Sequence, residues 1–65
     1  MNYEKIEMSK LEVNDIFAEE IKLKGRVAYR VKEIREKTMT VVNRTTGKDV
    51  NKSIKGDVYF LRSDK

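Results

Sequence analysis

Lys22, Lys24, Arg26, Arg30 and Lys32 recur at even spacing through "IKLKGRVAYRVK", and the only chemistry this set suits is the attraction of anions. With a period of two, Val27, Tyr29 and Val31 share one face of "GRVAYRVKEI" while Arg26, Arg30 and Lys32 share the other. On a neighbouring antiparallel strand, Lys22 and Lys24 would stand beside them. Such a face draws phosphate by charge and by release of counterions.

Other chemistry finds little support. Histidine and cysteine are absent, so neither a Ser-His-Asp or Cys-His nucleophile nor a thiolate or imidazole metal site can be built. Adjacent Glu19 and Glu20 point to opposite faces of a strand and do not make an acid-base pair. Gly47-Lys48 has the look of a phosphate-loop tail, yet Val42 stands where that loop needs glycine and Asp49 where it needs Ser or Thr. "TTGKD" therefore reads as a hairpin turn. The expectation is a protein that is not an enzyme and needs no cofactor or metal.

A chain of 65 residues with net charge +4 and no cysteine has room for one small domain held by apolar packing alone. No run approaches the length of a membrane span, and "MNYEKIEMSK" lacks the apolar core of a secretory signal, so a cytoplasmic location without membrane partners is expected. Two Asn-x-Ser/Thr matches, at Asn43 and Asn51, are read as chance on that ground. The charge is segregated. Residues 1–20 carry six acids against two lysines, and the remainder carries thirteen bases against five acids.

The elements that must position the basic residues are strands. Val, Ile and Thr far outnumber Leu and Ala, a balance that favours a pleated surface. Residues 1–10 fit neither template and are expected as an irregular or edge segment, followed by one domain over 11–62. Asn14-Asp15 suits a turn into a first strand that continues through Phe17, Glu19, Ile21 and Leu23 to Gly25. A helix over about 15–24, capped by Asn14 and ended by Gly25, competes with it and would make the fold α+β. Further strands are expected at 26–33, in "TMTVVN", in "VNKSI" and in "VYFLR". Val58 and Phe60 on one face of the last, with Tyr59 and Leu61 on the other, suit a strand covered on both sides.

Five short strands joined by polar turns predict a mostly β fold, a small five-stranded barrel. "LEVNDIF" is similar to the L-x-V-G-D entry turn, and "AYRVKEI" to the Y-x-V-x-x-I strand, of SH3-like barrels, with Asn14 where glycine is usual. The resemblance spans about residues 11–62 and lies at the level of fold. It implies a binding module, whose ligands on this fold include peptides, nucleic acids and other proteins.

Three functions follow. The first is a module that binds nucleic acid through Lys22, Lys24, Arg26, Arg30 and Lys32, with Tyr59 as a stacking platform. The second is a protein-interaction module or small inhibitor that recognises a protein partner by charge complementarity. The third is a subunit that self-associates through a strand edge. The discriminating question is whether the acidic first 20 residues lie over Arg26, Arg30 and Lys32.

Overall fold

The computed structural model describes residues 3–20 and 27–64. Six strands, β1 (Glu4–Glu7), β2 (Asp15–Ala18), β3 (Ala28–Ile34), β4 (Thr38–Asn43), β5 (Asp49–Ser53) and β6 (Asp57–Ser63), form one antiparallel sheet. Their order is β1-β6-β2-β3-β4-β5, and a 3-10 turn, Met8–Lys10, follows β1. Among the described residues there is no α-helix.

Among the described residues, three turns reverse the chain at residues with left-handed backbone. Asn14 (φ 75), Gly47 (φ 76) and Gly56 (φ 73) are the positions, and asparagine is the non-glycine residue that best tolerates this region. Asn14 also ties two strands together. Its N–H donates to the Val31 carbonyl at 2.8 Å, and its carbonyl accepts from the Asp64 N–H at 2.9 Å. The neighbouring Asp15 carboxylate, buried at 6% exposure, accepts from the Glu12 N–H at 2.8 Å and closes the turn.

The inner face is built on Phe17. This ring is fully buried, stands opposite Tyr29 of β3 and Phe60 of β6, and stacks on Tyr29 with centroids 5.6 Å apart. Val31, Val41 and Val50 form the next cross-strand row, and Ile6 opposes Val58 at the other side of the sheet. Met8 and Leu11, carried by the 3-10 turn and the segment after it, complete the cluster. The sheet coils about this core. Lys52 of β5 crosses the Tyr29 ring, 4.6 Å from its centroid, and reaches Glu19 beyond β2 at 2.8 Å.

Several expectations need correction. The sheet has six strands rather than five and is open, because residues 4–7 form a paired edge strand and β1 and β5 do not pair with each other. The strand expected to run to residue 24 ends at Ala18, with a bend at Glu19–Glu20, and the segment 15–18 is strand rather than helix. Ile21 to Arg26 lie outside the described residues. Val27, expected to face inward, precedes β3 and is 37% exposed, while Tyr29 and Val31 do join the core. The last strand lies between β1 and β2, as a central strand, but only Val58 of its residues is buried, and Tyr59 and Leu61 stay half-exposed rather than covered on the second face.

The packing makes two predictions. Phe17→Ala should cost about 3–5 kcal/mol, which approaches the whole stability of so small a domain, and half-buried Tyr29→Ala should cost less. Urea midpoints order the two. At the β1–β2 turn, Asn14→Gly should be neutral or stabilising and Asn14→Val destabilising by about 1–2 kcal/mol, since only the second is strained at positive φ. Thermal melts of the two variants check it.

Candidate nucleic-acid interface

Strand alternation and register place a second set of side chains on the outer face. One cross-strand row reads Arg62 on β6, Ile16 on β2, Arg30 on β3, Val42 on β4 and Asp49 on β5. The next row reads Lys5 on β1, Tyr59 on β6, Ala18 on β2 and Ala28 on β3. Adjacent strands lie about 4.8 Å apart, so the backbones of Arg30 and Arg62 are separated by roughly 10 Å across β2. Both side chains are exposed, whereas Ile16 between them is only 1% exposed. In the row, two exposed arginines thus stand on either side of a buried apolar residue, their guanidinium groups reaching solvent.

Bulges tune this face. Between Val31 and Glu33 the register of β3 shifts, and Lys32 sits at the extra position with its ammonium 2.8 Å from the Asp49 carboxylate. A second irregularity, between Ile16 and Phe17 against β6, leaves Leu61 unpaired and brings Arg62 opposite Ile16. Lys5 reaches across to Tyr59, with its ammonium 5.9 Å from the ring centroid. Arg62 also meets Asp64 at 3.3 Å, an exposed pair that water screens strongly.

Glu4, Glu7, Asp15 and Glu19 of the acidic first third pair with none of these bases. Glu19 is held by Lys52, Asp15 is buried in its own turn, and Glu4 stands opposite Phe60 on the inner side of β1. Glu7 shares the outer face with Lys5, at the end of β1. Among the described residues, no carboxylate pairs with Arg30, and the partner of Lys32 comes from β5.

Of the residues expected to form a nucleic-acid surface, Arg30, Lys32 and Tyr59 do lie on one face. Lys22, Lys24 and Arg26 lie outside the described residues. Sequence reasoning missed Lys5 and Arg62, which are distant in the chain. The alternation in "VYFLR" that separates Tyr59 from Phe60 would have pointed to Arg62 only with the bulge at Leu61 in view. Lys5 needed the pairing of β1 with β6.

Among the described residues, two shallow hollows lie elsewhere. One, of about 340 Å³, opens between β5 and the start of β6 beside Met8, Glu19 and Lys52, and the other, of about 330 Å³, adjoins Ile6 and Phe60 on the inner side of β1. Among the described residues, no group of His, Cys, Asp and Glu is placed to hold a metal ion, and no helix is long and apolar enough to cross a membrane. Comparison with family models, curated proteins and solved structures gave no match to this chain.

The flanking of Ile16 makes a prediction about stability. Replacing Arg30 and Arg62 together by Ser should uncover Ile16 and cost about 1 kcal/mol more than replacing both by Gln, which keeps most of the stem. Urea midpoints of the two double variants measure the difference.

Proposed function

We propose that this protein is a non-enzymatic binding module that holds single-stranded nucleic acid on the outer face of its sheet. The observation that carries the reading is the row Arg62-Ile16-Arg30, two exposed guanidinium groups on alternate strands, with the Lys5-Tyr59 pair one row away. Guanidinium groups take phosphate through paired N–H donors, and a half-buried tyrosine ring offers a base a stacking surface at little entropic cost. Among the described residues there is no α-helix to enter a major groove. That favours a single strand, whose bases are free to stack.

The fold supports a module of this kind. The coil that carries Lys52 to Glu19 is consistent with a small SH3-like barrel stopped short of closure at β1 and β5. A cytoplasmic setting, where such ligands are abundant, is part of the same proposal.

Fluorescence anisotropy with a labelled single strand tests the reading. With Arg30, Arg62, Lys5 and Lys32 engaging about three to four phosphates, the logarithmic salt slope should be about −2 to −3, and Arg30→Gln with Arg62→Gln should reduce it by about 1.4. Tyr59→Phe should bind as well as the native protein and Tyr59→Leu about 10-fold or more weakly. No binding tighter than about 10⁻⁴ M in about 50 mM salt would overturn the proposal.

A further inference from the structure

We propose that β1 is a homodimerisation edge, pairing antiparallel with β1 of a second copy about a two-fold axis through Ile6. Among the described residues β1 pairs on one side only, with β6. The direction of its backbone groups follows from register. The Met8 N–H donates to the Gly56 carbonyl at 3.0 Å, in the same register that pairs Ile6 with Val58 and Glu4 with Phe60. Antiparallel ladders alternate bonded and non-bonded pairs, so the intervening Lys5 and Glu7 turn their N–H and carbonyl groups outward to the free edge.

Only a few registers use both residues or either one. Placing Lys5 on the axis sets it against Lys5 of the second copy, and placing Glu7 there sets two glutamates together. The register centred on Ile6 opposes Lys5 to Glu7 of the second copy, and Glu7 to Lys5 of the second copy. Two pairs, each exchanging two main-chain bonds, then carry two ion pairs on the outer face. Ile6 meets its own copy on the inner face as a non-bonded pair, the class in which side chains approach closest. Ile6 is half-buried in the monomer beside the inner hollow, so it has surface left to bury.

The other free edge lacks this complementarity. Outward-facing residues on β5 are Asp49, Asn51 and Ser53, because the pairs Asn43 with Lys48 and Lys37 with Ile54 are the bonded ones. The one two-fold register that brings Asp49 opposite a lysine, Lys55 of the second copy, also sets Lys52 against itself. An isologous contact at β1 is the self-complementary choice. It would continue the sheet across the axis and bring two Lys5-Tyr59 pairs side by side. The dimer itself does not depend on the nucleic-acid reading.

Sedimentation equilibrium of the purified protein without nucleic acid tests it, over about 10 µM to 1 mM at low salt. The native chain should dimerise and dissociate as salt rises. Lys5→Glu alone and Glu7→Lys alone should each weaken dimerisation about 10-fold or more, and an equimolar mixture should form the heterodimer, in which every opposed pair is again attractive. Rescue in the mixture also shows that both variants fold. Glu7→Pro removes one outward N–H at a residue whose φ of −67 and ψ of 136 already suit proline, and it should be monomeric with an unchanged circular-dichroism spectrum. A native chain monomeric throughout the range would mean that Lys5 and Glu7 merely guard the edge, and the proposal would fail. A dimer that survives Glu7→Pro and both charge reversals would place the contact elsewhere and overturn the proposal equally.

Discussion

Burial of Phe17 between β3 and β6 is the constraint on which the rest of the molecule depends. β2 has only four residues, yet it joins the β1-β6 half of the sheet to the β3-β4-β5 half. Phe17 is the side chain that both halves pack against, through Phe60 on one side and Tyr29 on the other. Because strand alternation is strict, placing Phe17 inward necessarily turns Ile16 and Ala18 outward. The outer face then carries an apolar strip at its centre, flanked there by Arg30 and Arg62. The candidate site is thus a consequence of how the core is filled.

Charge is arranged around that geometry. Lys52 is drawn inward over Tyr29 and held by Glu19, which removes one acid of the amino-terminal third from the outer surface. Asp15 is engaged within the β1–β2 turn as a hydrogen-bond acceptor, where it supports the left-handed Asn14. What remains outside is a face on which, among the described residues, Arg30 pairs with no carboxylate and Lys32 and Arg62 lie in exposed pairs that solvent screens. Exposed pairs of this kind open at little cost when a stronger anion arrives.

The two edges have different characters for the same reason. β5 closes over the inner side through Lys52, while β1 is short, lies beyond β6, and alternates Glu, Lys, Ile and Glu. Its outward backbone groups belong to one cation and one anion, an arrangement that both deters random strand addition and complements its own two-fold image.

Local signals determined a large part of this structure. The period-two runs at Tyr29 to Val31, Thr38 to Asn43 and Val58 to Leu61, the glycine turn at 47, and Asn14 as a turn residue were all legible, because each depends on a few neighbouring residues. The inward orientation of Tyr29 and the placement of Arg30 and Lys32 on the opposite face followed from the same alternation. Tertiary structure decided what alternation cannot reach. Residues 4–7 have no pattern of their own and become a strand only by pairing with β6, which is how Lys5 comes to Tyr59. The bulges at Lys32 and Leu61 shift register by one residue, and a one-residue shift is invisible in composition yet sets Arg62 beside Ile16. Glu19 finds Lys52 only because the sheet coils around Phe17, a long-range outcome of packing that no stretch of sequence contains by itself.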